Sequence, residues 1–177
     1  MIRHAFAAAL FIAVCLPTSL TAAETTVKGV HLCCGGCVKG VDAALKGVAG
    51  VTNVACDRET MTVTFDSQKK GDAEAAVNAL AAGGFYGTAT FGSEAVPFPD
   101  AGAKNAKGNS VTVTGVHLCC GRCVKDAEEA LTSVDGIASS NIEIDRAART
   151  ITVKKDGLDA AKVIGALNDA GFYGKVK

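Results

Sequence analysis

Two short stretches concentrate the reactive side chains of this chain. GVHLCCGGCVK, starting at Gly29, places His31, Cys33, Cys34 and Cys37 together, and GVHLCCGRCVK, starting at Gly115, repeats them as His117, Cys119, Cys120 and Cys123. Thiolates are soft ligands, so two or three of them from one loop suit Cu(I), and equally Hg(II) or Cd(II); a tetrahedral set completed by histidine suits Zn(II). Gly35, Gly36 and Gly121 let the backbone turn closely around an ion. Cys33 and Cys119 are either third thiol ligands or apolar loop fillers facing away. His31 and His117 are either ligands or groups that tune the thiols or meet a partner. Cys56 stands apart: the second copy has Ile142 or Ile144 at the alignable positions, so it reads as a small buried hydrophobe.

The elements that must hold these loops also occur twice. TTVKGV is β-branched and alternating, as a strand should be, and the cysteine loop follows it. Val38, Val41, Leu45 and Val48 then recur at steps of three and four, the period of one helix face, and Gly47 and Gly50 punctuate its end. Cys37 and Cys123 open these helices, where unpaired backbone N–H groups and the helix dipole favour a thiolate. VTNVACD and TMTVTFD form a hairpin with Met61, Val63 and Phe65 on one face. DAEAAVNALAAGG is an alanine-rich helix stopped by glycines, and FYGTATF closes as a strand. The second copy spells the same βαββαβ order through SVTVTG, VKDAEEALTSV, ASSNIEID, RTITVK, GLDAAKVIGALNDAG and FYGKVK. The fold class is α+β: two ferredoxin-like domains, each a four-stranded antiparallel sheet with two helices on one face.

The domain boundaries follow. Residues 1–23 read as a secretory signal, with Arg3 at a basic start, an apolar run from Ala5 to Leu16 and small residues at the end, cleaved after Ala23. Cys15 leaves with it. The first domain spans 24–91 and the second 110–177. Between them 92–109 carries two prolines and no periodicity, and reads as a flexible linker. A flexible linker of that length reaches about 23–25 Å, so the two loops can face each other. The chain is then exported, periplasmic or extracellular, with no membrane span in the mature protein. The formal net charge is zero and no lysine or arginine run occurs, so no electrostatic footprint for nucleic acid is present. Hydrolytic motifs are missing, and the expected function is binding, not catalysis. An odd number of cysteines survives cleavage, grouped as three, one and three, which favours ions over a disulfide framework.

A Cys-x-x-Cys loop between the first strand and first helix of a small βαββαβ unit resembles the heavy-metal-associated domain, the module of copper chaperones, periplasmic mercuric-ion-binding proteins and the amino-terminal tails of metal-transporting ATPases. The resemblance covers 25–91 and 110–177 and implies that Cys34 and Cys37, and Cys120 and Cys123, hold the metal. It further implies that the Gly84–Phe85 and Gly171–Phe172 steps lay a ring beside the loop. Leu32 and Leu118 stand where the family has methionine, Cys33 and Cys119 add a thiol, and the loop is two residues longer after Gly29. The expectation is a soft-metal-binding protein, with Cu(I) as its ion and Zn(II) or Hg(II) as alternatives, for chaperoning, buffering or detoxification. Its partners would be a metal-transporting ATPase or another metal-binding protein. Each copy would hold its own ion. A thiol-disulfide oxidoreductase, which also places Cys-x-x-Cys at a helix start, is the competing class.

Overall fold

The computed structural model describes residues 23–104 and 107–177. The first unit runs β1 (Ala23–Lys28), α1 (Gly35–Leu45), β2 (Val51–Asp57), β3 (Thr62–Ser67), α2 (Lys70–Gly83), β4 (Thr88–Phe91) and β5 (Glu94–Val96). The second runs β6 (Lys107–Thr114), α3 (Gly121–Thr132), β7 (Ile142–Asp145), β8 (Thr150–Asp159), α4 (Ala160–Asp169) and β9 (Lys175–Val176). Sheet order is β2-β3-β1-β4-β5 in one and β7-β8-β6-β9 in the other, with every pairing antiparallel. Both are the split βαβ arrangement that the residue periodicities require. Except for Ala23, the expected signal, Cys15 included, lies outside the described residues; Ala23 opens β1, paired with Ser67. Among the described residues no helix is long and apolar enough to cross a membrane.

Alternation in the strands sends Val27, Val63 and Phe65 of the first sheet, and Val113, Ile151 and Val153 of the second, into cores closed by Leu80 and Leu167 from the helices. Two local readings change. The buried face of α1 keeps the expected Val41 and Leu45 but takes Cys37 in place of Val38, so its inner face begins with a thiol. Met61 does not share the face of Val63 and Phe65; it sits before β3 with φ 53° and is 39% exposed, because its carbonyl turns back to accept the N–H of Val30.

Part of the segment read as a flexible linker is ordered. Gly92 and Ser93 form a two-residue turn with φ 55° at Gly92, and Glu94–Val96 folds back on β4 as a fifth strand, Phe91 opposite Glu94. Farther on, the Tyr86 and Phe98 rings pack with centroids 4.8 Å apart, Tyr173 donates its hydroxyl to the Asp100 carbonyl at 3.3 Å, and Val176 N–H reaches Ala101 O at 2.9 Å. Lys107 and Gly108 are already in β6. The strand and aromatic contacts satisfy backbone groups that a free linker would leave to water.

The two units meet through a pseudo-twofold seam. Phe85 and Phe172 face each other across an antiparallel bridge. Gly171 O accepts N–H groups of His31 (3.4 Å) and Tyr86 (3.0 Å), and Gly84 O accepts those of His117 (3.4 Å) and Tyr173 (3.0 Å). The Phe172 ring stacks on His31 and the Phe85 ring on His117, at centroid separations of 4.1 and 4.3 Å. Both phenylalanines are fully buried. Each ring therefore lies on the histidine of the opposite unit's cysteine loop. Gly84 and Gly171 hold φ of 91° and 82°, and the other unit's backbone runs so close to their Cα atoms that neither has room for a side chain.

Candidate metal centre

The cysteine loops end in helices whose N-caps are Cys34 and Cys120. Cys37 and Cys123 are thus the third helical residues, not the first, and both are fully buried under the first turn. Neither first turn contains an acidic side chain or a side-chain cap, so no side chain competes with the sulfurs for the positive end of either helix.

The seam brings all six loop thiols together. Ten Sγ–Sγ separations fall between 3.6 and 4.0 Å, six of them from one unit to the other: Cys33 to Cys120 and Cys123, Cys34 to Cys119 and Cys120, and Cys37 to Cys119 and Cys123. All six are free thiols at these distances, far beyond a disulfide bond. The expectation of one self-contained site per copy therefore gives way to a single composite cluster. Stacked Gly-Phe steps and paired carbonyls hold the loops face to face. Cys33 and Cys119 are not fillers facing away; each contacts thiols of both units. Cys56 lies in β2, outside the cluster, half-buried, and burial pushes its thiol up to about 11.

The histidines are not equivalent. A ring nitrogen of His31 lies within 4.8 Å of the sulfurs of Cys33, Cys37 and Cys123, and the four form a potential ligand set. His31 is buried, its Nε2 has no hydrogen-bond partner, and the closest carboxylate oxygen, on Asp126, is 3.8 Å away. No such set among the described residues includes His117. Burial, with the Arg149 guanidinium as a neighbouring positive charge, lowers its pKa to about 4. It serves the seam as a neutral ring on Phe85.

The thiols differ in the same way. Cys34 is lowered to about 7, chiefly by the Cys37 backbone N–H beside its sulfur, which favours the thiolate. Burial raises Cys33, and raises Cys119 to about 12. Cys123 is raised first by its contact with Cys37 and then by burial, with His31 acting in the opposite direction.

Two arginines that no spacing argument singled out brace the loops. Arg58, in the β2–β3 turn, donates to the carbonyls of Leu32 (3.3 Å) and Cys33 (2.9 Å). Arg149 donates to Val116 O and Gly115 O of its own loop and, across the seam, to Gly83 O at 2.7 Å. An arginine or a methionine just before a hairpin's second strand carries no local signal for such a reach.

Two proteins of Haemophilus influenzae, both described as uncharacterized, are each 33% identical to this chain over 63 residues, 36% of its length and 88% of theirs. The solution structure of the N-terminal soluble domains of Bacillus subtilis CopA aligns over 89% of this chain and 95% of that one at 18% identity, with a TM-score of 0.31, a likeness too weak to carry an argument. The heavy-metal-associated domain model matches residues 25–85 and again residues 110–172. Together with the thiol cluster this supports binding of a soft metal ion. The two matches span well over half of the sequence, once in each βαββαβ unit, and the chain belongs to the heavy-metal-associated domain family.

Proposed function

We propose that this protein is an exported carrier of Cu(I), bound by Cys33, Cys34 and Cys37 together with Cys119, Cys120 and Cys123, and that it works as a chaperone, buffer or detoxifying sink. The observation that carries the reading is the ligand chemistry: six sulfurs converge within 4.0 Å contacts, joined by one imidazole nitrogen, and no carboxylate belongs to any of the potential ligand sets. Sulfur-rich surroundings favour a soft ion, Cu(I) among them, whereas hard cations require oxygen. Cys34 and the exposed Cys119, 3.6 Å apart, form the solvent-facing edge of the cluster. An incoming thiol of a metal-transporting ATPase or another metal-binding protein would attack there. The leader-like stretch 1–23 is what supports export.

One observation favours a second metal. His31, Cys33, Cys37 and Cys123 offer the one-nitrogen, three-sulfur set that Zn(II) takes in tetrahedral sites. Competition separates the two. The reduced full chain is offered Cu(I) and Zn(II) together under anaerobic conditions, with a chromogenic Cu(I) chelator present. Retention of copper against the chelator, with zinc displaced, is expected; loss of all copper to the chelator with zinc retained would reject the copper reading.

A further inference from the structure

We propose that the two loops build one four-ion Cu(I)–thiolate cage and not two one-ion sites, an inference that rests on the soft-metal reading above. The sulfur geometry is that of an octahedron. Beside the ten separations of 3.6–4.0 Å, Cys33–Cys34 and Cys119–Cys120 lie within 4.8 Å, which makes twelve edges. The pairs left over are Cys33–Cys119, Cys34–Cys123 and Cys37–Cys120. They share no residue, as the three diagonals of an octahedron must not, and the pseudo-twofold exchanges the last two.

All eight triangular faces have comparable edges, and four that alternate around the octahedron are potential ligand sets: Cys33/Cys34/Cys120, Cys34/Cys37/Cys119, Cys119/Cys120/Cys123 and Cys33/Cys37/Cys123, the last with His31 added. Any two of these four faces share one sulfur, and every sulfur belongs to two of them. That is the alternate-face pattern in which each thiolate bridges two ions. An ion centred on a triangle sits at the edge divided by the square root of three. Edges of 3.6–4.0 Å, as on the Cys34/Cys37/Cys119 and Cys33/Cys37/Cys123 faces, therefore give about 2.1–2.3 Å, close to the ~2.3 Å of a first-row metal–thiolate bond. A single ion at the centre of the octahedron would sit at the edge divided by the square root of two, about 2.5–2.8 Å from every sulfur, too far for such bonds. The geometry fits face occupancy and not central occupancy.

Charge points the same way. Six thiols that release their protons to solvent and take up four monovalent ions leave a cage with two negative charges. The amino-terminal turns of α1 and α3, without an acidic residue between them, present partial positive charge to it, and the Arg58 guanidinium bonds the Cys33 carbonyl at its edge. Four divalent ions would leave a net positive cage against the same helix ends. His31 gives the Cys33/Cys37/Cys123 face a fourth donor that no other face has.

The test uses the reduced full chain, titrated with Cu(I) under anaerobic conditions and read by native mass spectrometry and X-ray absorption. Expected is a four-ion species that dominates while one- to three-ion species stay minor, because each bridging thiolate serves two ions. Absorption should show sulfur-only or nearly sulfur-only neighbours and a metal–metal distance of about 2.4–2.7 Å, the spacing of alternate face centres for soft ions on these sulfurs. The Cys33→Ser/Cys119→Ser double variant should lose the four-ion species and hold two ions at most, while Cys56→Ser keeps four; circular dichroism confirms that both fold. Saturation at two ions without metal–metal scattering would overturn the cage and leave the soft-metal reading standing. Failure to retain any Cu(I) against the chelator would overturn both.

Discussion

Gly84→Ala should pull the two units apart and split the thiol cluster without unfolding either unit. A Cβ at Gly84 would overlap the His117 backbone nitrogen and come within 2.5 Å of Gly115 O and 2.8 Å of the Val116 carbonyl carbon, all in the other unit. None of these is a flexible side-chain end, so the seam must open. The opened seam loses the His117 and Tyr173 N–H bonds to Gly84 O, at a net ~0.5–1.5 kcal/mol each. It also loses the Phe85–His117 stack, worth about 0.5–1.5 kcal/mol as an aromatic pair. Closure is then weaker by about 1.5–4.5 kcal/mol, which is roughly 10- to 1,600-fold in the ratio of closed to open forms.

The left-handed backbone at Gly84 adds a strain of its own, and Gly47→Ala isolates it. Gly47 has nearly the same conformation, φ 83° against 91°, with nothing within 4 Å of a new Cβ. That variant should cost only the ~1–2 kcal/mol of an L-residue in the left-handed region. Small-angle scattering of the reduced, metal-free chain should show an increased radius of gyration for Gly84→Ala and none for Gly47→Ala, and Cu(I) capacity should fall only in the former. If the two variants are equally compact and lose equal stability, the seam is not what holds the loops together.

Three further outcomes follow from named contacts. Arg149→Met is expected to weaken the seam by about 1.5–3 kcal/mol, since it removes the charged donor that reaches Gly83 O across it; Met61, before the corresponding strand at φ 53°, shows that methionine accepts this backbone, and denaturant unfolding measures the loss. In the metal-free chain Cys34, lowered to about 7, should be the thiol alkylated first near neutral pH, its rate falling about tenfold per pH unit below 7, while Cys56, raised to about 11, stays slow; peptide mapping after brief iodoacetamide exposure reads both. Equal rates would refute the role of the helix N-terminus. Cys56→Ser should leave Cu(I) affinity unchanged and cost about 1 kcal/mol, and a larger loss of affinity than from Cys34→Ser would relocate the site.

The fold was legible because its signals are local. Alternation in TTVKGV and SVTVTG, three-and-four spacing ahead of Gly47, and glycines after both second helices all report on neighbours in sequence, and the structure follows them to within about three residues, although the strand read from RTITVK runs on to Asp159 and the start of ASSNIEID is a 3-10 turn. The fifth strand had a local signal too, the Gly92–Ser93 pair between two short alternating runs, which the prolines beyond it obscured. The site was legible only as a set of ligands. Which thiols meet depends on how one unit docks on the other, and docking is a matter of surface shape that periodicity does not encode. What the sequence does carry is duplication: an isologous seam needs the same patch on both sides, and the Gly-Phe step beside a His-bearing loop is written twice. A symmetric patch can be suspected from its repetition, yet its symmetry is also what misleads. His31 and His117 are indistinguishable in their sequence surroundings, but one joins a ligand set and the other does not. The difference comes from the elements behind them, where Arg149 occupies the turn that Met61 fills in the first unit and places a guanidinium close enough to His117 to help keep it neutral. Such a distinction arises in the packing of two near-identical units, where one substitution in a supporting turn gives two copies of the same loop different work.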